Sequence, residues 1–528
     1  MECRVARSVR SRPLNRSTKL AGSSAGDEVT TFNKPEVNGK PDVNGKADAR
    51  GMQDGKTDVT QGVRTAWRRL NVPPELAVLA FLAAVTRLAA ITHPRAIVFD
   101  EVYFRDSALR YLDGSYFFDL HPPLGKLLLA GWAKLLGVSA TPQSADPAVA
   151  LRLLPALAGT ALVAVFYLLL RELTASRRVA TFGAALLLLD NAILVESRFI
   201  LIDSMLLLFG IGAITCFLAC RRRTGRAHWI LLTSSAVLAG MATSTKLTGI
   251  SALGLIGLVW LAQTLRRRVS WRLALPQAAV LVVVPALVYV GVFAIHFQLL
   301  PHSGPGDAYM SQRFQSTLVG NPGYDPAAKM SFLDRFIEAN KAMHSYELSL
   351  NNTHHPYASS WLSWPILKRP MYYWNGATPT RGVQEYIYLQ GNPVIWWGLL
   401  VGVVVVALGW MRRPELFERH RATMALLGVA WAANFLPFAT IVRPMFLYHY
   451  FFSFMFCIAA VSIGMGLLAG WMTDDEKVWR FPSRRSTALY WGILGVALAG
   501  FVFFAPISYG LPLSDGGLSA RIWLDSWR

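Results

Sequence analysis

Charge is scarce in this chain of 528 residues: Asp, Glu, Lys and Arg make up 16% of it, against 53% hydrophobic residues. That balance excludes a soluble globular enzyme and a disordered regulator, and leaves a polytopic membrane protein. Cysteine is scarce too. Cys3, Cys216, Cys220 and Cys457 make no disulfide framework, and the last three lie in or beside apolar runs, where they read as small buried hydrophobes. There is no P-loop and no dinucleotide fingerprint, since the glycines of the apolar segments sit within predicted spans. Residues 1–70 hold no apolar h-region, so a cleavable signal peptide is not expected and insertion falls to the first span. This stretch is rich in Gly, Asn, Asp and Lys and contains an imperfect repeat, PEVNGK (35–40) and PDVNGK (41–46). It can bury too little apolar surface to offset its ordering entropy and is expected to be a disordered cytoplasmic tail.

Apolar runs of spanning length are abundant instead. Eleven are predicted, at about 74–92, 149–170, 178–194, 199–219, 229–247, 249–264, 275–297, 393–410, 422–441, 445–472 and 487–509. Two long connectors interrupt them, 93–148 and 298–392. The chain thus divides into the tail (1–70), an N-terminal transmembrane module that includes the first connector (71–297), the second connector (298–392) and C-terminal transmembrane helices (393–528). The fold class is an all-α polytopic membrane protein.

The net charge of +20 raises the question of nucleic acid, and its distribution answers it. With the N-terminus in the cytoplasm, the tail carries +6 and the connectors 171–178, 220–228, 265–272, 411–421 and 473–486 carry +13. Everything else carries +1. This is the positive-inside pattern, and it accounts for the basicity without nucleic acid. Both long connectors and the C-terminus then face outward.

The residues able to do chemistry fall on that outer face. Asp100 and Glu101 are adjacent carboxylates just after the first span, followed by Asp119, His121, two prolines and Lys126. A solvated acid pair is one reading; a general base beside a second, orienting carboxylate is the other. Arg87, Asp190, Glu196, Arg198, Asp203 and Lys246 are ionisable groups at the outer ends of spans, where such groups pair with one another or line a polar cavity. Taken singly, each could be a structural ion pair; clustered at one face, the cations suit a phosphate. The second connector is dense in aromatics around His354 and His355, a mixture of interfacial belt and a platform for sugar or peptide. Adjacent histidines with no carboxylate at ligand spacing are not a zinc signal. Arg443, Tyr448, His449 and Tyr450 enter the membrane together and read as a further wall of the same cavity.

Eight ordered blocks carry a resemblance: FDEVYF (99–104), YFFDLHPPLGK (116–126), LDNAILVESRFILID (189–203), STKLTG (244–249), HSYELSL (344–350), HPYASSWLSWP (355–365), GNPVIWW (391–397) and RPMFLYHYFF (443–452). Together they resemble the protein O-mannosyltransferases from about residue 87 to 470. The resemblance implies a GT-C glycosyltransferase fold and transfer of mannose from polyprenyl (dolichyl-type) phosphate mannose to Ser or Thr hydroxyls of secreted or membrane proteins, by inversion. It implies Asp100 as the base and Glu101 as its catalytic partner. It makes Arg198, Lys246 and Arg87 candidates to hold the donor phosphate, and His121, Asp203, His355, Arg443 and His449 candidates to bind substrate. Partners would be the donor lipid, acceptor polypeptides and membrane lipids. No metal and no cofactor is implied, because protein cations take the place of a metal. Eukaryotic relatives carry a MIR domain in the second connector; here that connector is filled by family motif, which implies a bacterial-type member in a cell membrane. A sister GT-C enzyme that glycosylates a glycolipid such as lipid A is the alternative, against which the HPYASSW and FLYHY blocks stand. A transporter is a third reading, but no inverted repeat or paired broken helices appear.

Overall fold

The computed structural model describes residues 73–138, 147–266, 269–351, 353–378, 380, 382–472 and 479–528. The expected disordered tail at 1–70 lies outside them. The helices that matter here are α1 (Pro74–Leu88), α2 (Glu101–Asp113), α3 (Leu124–Leu135), α4 (Ala148–Thr174), α5 (Arg177–Leu188), α6 (Asn191–Glu196), α7 (Asp203–Cys220) and α8 (Gly225–Thr245). They continue with α9 (Ile250–Leu265), α10 (Trp271–Leu299), α11 (Phe332–Ser349), α12 (Pro393–Arg412), α13 (Arg421–Phe435), α14 (Phe451–Leu468) and α15 (Arg484–Tyr509). Among the described residues, eight helical segments are long and apolar enough to cross a membrane. The other three expected spans also form helices: α1 has 15 residues, α5 has 12, and α8 has 21 with a more polar composition.

Burial sorts these helices into a centre and a periphery. The segments containing α7 and α14 are each 78% buried over their most apolar stretch, whereas those containing α9 and α10 are 22% buried. An apolar helix with most of its surface uncovered has no aqueous rationale, so the peripheral helices present their side chains to lipid. At the centre, α7 packs between α4 and α8, α4 also packs on α1 and α5, and α14 packs on α12 and α13.

Local chemistry sets several boundaries. Asp190 caps α6 by accepting from the Ile193 N–H at 3.0 Å, and Asn392 caps α12 with Pro393 at its first turn. Gly114 ends α2 in the left-handed conformation, at φ 80°. Gly125 permits a close approach: a methyl there would meet Ile202 at 2.7 Å, so α3 lies directly on the 199–203 segment.

The fold is helical as expected, and a small sheet adds to it. The second connector holds a hairpin, β1 (Met371–Ala377) and β2 (Val383–Leu389), and β3 (Leu513–Ser514) adds to it, all antiparallel. The aromatic and β-branched residues of YYWNGA and VQEYIYL favour the pleated surface, and Tyr373 and Ile387 turn inward. The β2–β3 pairing joins the residues after α15 to the second connector.

Candidate active site

Two adjacent carboxylates, Asp100 and Glu101, have opposite surroundings. Glu101 is fully buried, as is Arg152 from the start of α4. Arg152 Nε and Nη2 each donate to one Glu101 oxygen at 2.7 Å. The same oxygens accept the backbone N–H groups of Ile200 at 2.9 Å and Val98 at 2.8 Å. Arg152 also donates to the carbonyls of Pro94 at 2.6 Å and Ala96 at 3.0 Å. All four favourable acceptor positions of Glu101 are thus occupied from within the protein. The pair ties the 91–101 segment, α4 and the 199–200 segment into one body. Phe99, at φ 48°, stacks on Tyr373 at 4.5 Å, and the Tyr373 hydroxyl donates to Glu196 at 2.8 Å. Glu101, expected as a catalytic partner, thus has both oxygens bonded by the protein's own donors beside Asp100.

Asp100 precedes the first turn of α2 but does not cap it with its side chain, and among the described residues its carboxylate accepts no hydrogen bond. Burial pushes its carboxyl up to about 6, with Lys246 pulling it down and Asp203 and Asp119 adding to the rise. The result is a carboxylate poised near neutrality and surrounded by the charges of the neighbouring cavity.

That cavity, about 240 Å³, is lined by the start of α7, the turn before α9, the end of α13 and the 437–452 segment. Lys246 Nζ donates to both Asp203 oxygens, at 2.8 and 2.7 Å, and lies 4.6 Å from the centre of the Tyr448 ring. Arg443 bonds Glu347 of α11 at 3.1 Å. His121, Tyr448 and His449 add to the polar lining. The His121 backbone is clamped: its N–H donates to Asp119 at 2.6 Å, and Lys126 donates to its carbonyl at 2.7 Å while pairing with Asp119 at 2.9 Å. Burial, followed by the surrounding cations Lys246, Lys126 and Arg443, holds the His121 imidazole neutral, well below its ordinary pKa. His449 stacks on Trp364 at 5.9 Å and is fixed by the Phe446 backbone. The HPYASSW block docks here, with the Ser359 N–H on the Met445 carbonyl at 2.8 Å.

Lys246, Asp203, His121, Arg443 and His449 therefore converge on one volume. Arg198, Arg87 and His355 do not line it. Arg198 is buried against the end of α1, where it donates to the carbonyls of Ala89, Ala90 at 3.0 Å and Arg87 at 3.3 Å, and it lies 4.3 Å from the Tyr509 ring. α1 ends without a glycine, and Ala90 takes φ 48°, so a guanidinium satisfies the open carbonyls of its last turn. Arg87 is fully buried beside Thr86, to which it donates at 3.0 Å. His355 is exposed and stands edge-on to Phe446 at 5.0 Å. Arg152 was missed in the sequence because it sits at the start of an apolar run; a lone arginine at that depth was the available signal. Tyr448 lines the cavity as expected, whereas Glu347, in the HSYELSL segment, had no expected role.

Comparison with known proteins bears on the same segments. Residues 77–301 match the family model of dolichyl-phosphate-mannose-protein mannosyltransferase, and residues 332–527 match that of the C-terminal four-transmembrane region of protein O-mannosyltransferase. The chain is 37% identical over 261 residues to protein O-mannosyltransferase 1 of Drosophila pseudoobscura pseudoobscura, covering 46% of this chain and 29% of that protein. It is 30% identical over 351 residues to dolichyl-phosphate-mannose–protein mannosyltransferase 4 of Candida albicans, covering 60% and 44%. The matches thus span less than half of these relatives' own length. Among solved structures, a chain of the S. cerevisiae protein O-mannosyltransferase Pmt1-Pmt2 complex bound to the sugar donor superposes with a TM-score of 0.76 at 20% identity, covering 86% of this chain and 92% of that one. The fold is GT-C, and the chain belongs to the protein O-mannosyltransferase family.

Proposed function

We propose that this protein transfers mannose from a polyprenyl (dolichyl-type) phosphate mannose to Ser or Thr hydroxyls of polypeptides, at the extracytoplasmic face of a cell membrane. The observation that carries this reading is Asp100, a half-buried carboxylate accepting no hydrogen bond among the described residues, beside a cavity whose cations are Lys246 and Arg443. The acceptor hydroxyl loses its proton to Asp100 as its oxygen attacks the anomeric carbon. The bond from that carbon to the phosphate oxygen breaks, and its electron pair stays on the phosphate. Lys246 and Arg443 stabilise that charge where it develops. Attack opposite the phosphate inverts the anomeric centre. Glu101 and Arg152 hold Asp100 in place, while Arg198 and Arg87 support the end of α1. His121 and Asp203 shape the sugar side of the cavity, and His355 and His449 lie toward the acceptor.

The charge distribution supports an outward-facing site and a cytoplasmic N-terminus. The compact second connector supports a bacterial-type member without a MIR insertion. The test supplies membranes with a radiolabelled mannosyl phospholipid of this class and a Ser/Thr peptide. Label in the peptide is expected. Label passed to a glycolipid distinct from the donor, with none in the peptide, would replace this reading with glycolipid transfer.

A further inference from the structure

A second and larger cavity, about 820 Å³, opens at the opposite end of the same helices. Asp203 at the start of α7 lines the first cavity, and Cys220 at its end lines the second. The 18 residues of α7 span roughly 27 Å, so the two cavities serve opposite membrane faces. The ends of α7 and α9 and the starts of α8, α10 and α13 surround this second space.

Its walls are apolar, with Phe217, Leu258, Leu273 and Leu426 among them, and its rim is cationic. Arg221, Arg222, Arg223 and Arg266 line it against a single carboxylate, Glu172, which Arg222 meets at 3.6 Å. Gln263, with its amide oxygen turned toward Arg221, accepts from that guanidinium at 2.6 Å. Among the described residues, Arg223 and Arg266 face no carboxylate within ion-pair distance. Three neutral polar side chains of the wall are already bonded in a chain. Trp260 donates to Gln277 at 3.1 Å, Gln277 donates to His228 Nε2 at 3.0 Å, and His228 Nδ1 donates to the Cys220 carbonyl at 3.0 Å. An occupant must therefore bring negative charge to the rim and apolar surface to the wall.

We propose that this cavity binds the phosphate head group of an acidic glycerophospholipid from the leaflet opposite Asp100, with an acyl chain against the apolar wall. Rim arginines pair with the phosphate diester, and burying the chain removes apolar wall from water. A free phosphate would satisfy only the rim.

The test is native mass spectrometry of the full chain, delipidated in detergent and titrated with dioleoyl phosphatidylglycerol, dioleoyl phosphatidylcholine or inorganic phosphate. Phosphatidylglycerol is expected to bind, phosphatidylcholine to bind far more weakly, and excess inorganic phosphate to leave the lipid in place. The double variant R223Q/R266Q, whose sites are exposed, should weaken phosphatidylglycerol binding roughly thirty-fold, the scale of removing two surface cations, with an unchanged thermal midpoint. L273W, which fills the wall and leaves every arginine, should also lose the lipid. Equal binding of both lipids, undiminished binding by the double variant, or displacement by inorganic phosphate would each overturn the proposal.

Discussion

Two buried carboxylate–cation pairs flank Asp100, and they differ in what their oxygens have left to give. In the Glu101–Arg152 pair both side chains are fully buried, and every Glu101 acceptor position is filled by Arg152 or by a backbone N–H. In the Asp203–Lys246 pair both side chains keep about a tenth of their surface, and both line a cavity. The first pair joins three chain segments and can do nothing further; the second presents charge to whatever enters. The difference shows that saturation by the protein's own donors, rather than proximity to the site, separates a strut from a group available for chemistry.

The comparison breaks most sharply at Asp100. Asp100→Asn should lower transfer by roughly a hundred- to ten-thousand-fold, the usual worth of a positioned base. Its stability should not fall. The folded pKa is raised above the unfolded one, so ionising Asp100 destabilises the fold progressively from about pH 4 to 6 and fully at neutrality. The Asn variant should therefore melt at or above the parent's midpoint at pH 7. Arg152→Met should do the reverse. It strands Glu101 as a buried, unpaired charge at a cost of about 3–5 kcal/mol, so thermal unfolding in detergent should show a large loss, with activity falling at least as far as the folded fraction.

Arg443→Gln tests the cavity side. Removing one charge-assisted contact to a phosphate whose charge grows as the bond breaks should lower kcat/KM for the donor by roughly ten- to a hundred-fold. An unchanged kcat/KM in a stably folded variant would remove Arg443 from the phosphate. The smallest effect is on pH dependence. Transfer should fall about ten-fold per unit once the pH drops below about 6, as Asp100 takes up its proton. A profile flat to pH 5 would remove Asp100 from the base role.

Much of this organisation was legible in the residues. Spanning-length hydrophobic runs depend only on composition along the chain, and helices form in each of the runs expected to span. The convergence of Asp203, Lys246, Arg443, His449 and His121 was also legible, because the first four sit at ends of apolar runs and His121 lies in the charged first connector. The division of labour was not. Asp100 and Glu101 are neighbours of similar chemistry, and only the position of Arg152, fifty residues on, decides which one is spent. Arg198 looked like a phosphate ligand because a membrane arginine needs partners. Those partners are backbone carbonyls of α1, which no side-chain pattern announces. The hairpin at 371–389 was hidden by aromatics that serve equally well in an interfacial belt.

The most direct measurement is a structure of this chain with a non-transferable mannosyl-phosphate lipid bound. The phosphate should lie within about 3 Å of Lys246 and Arg443 nitrogens, with the anomeric carbon turned toward Asp100 and Glu101 still bound to Arg152. A phosphate held by Arg87 and Arg198, with Lys246 still closed on Asp203, would contradict the assignment.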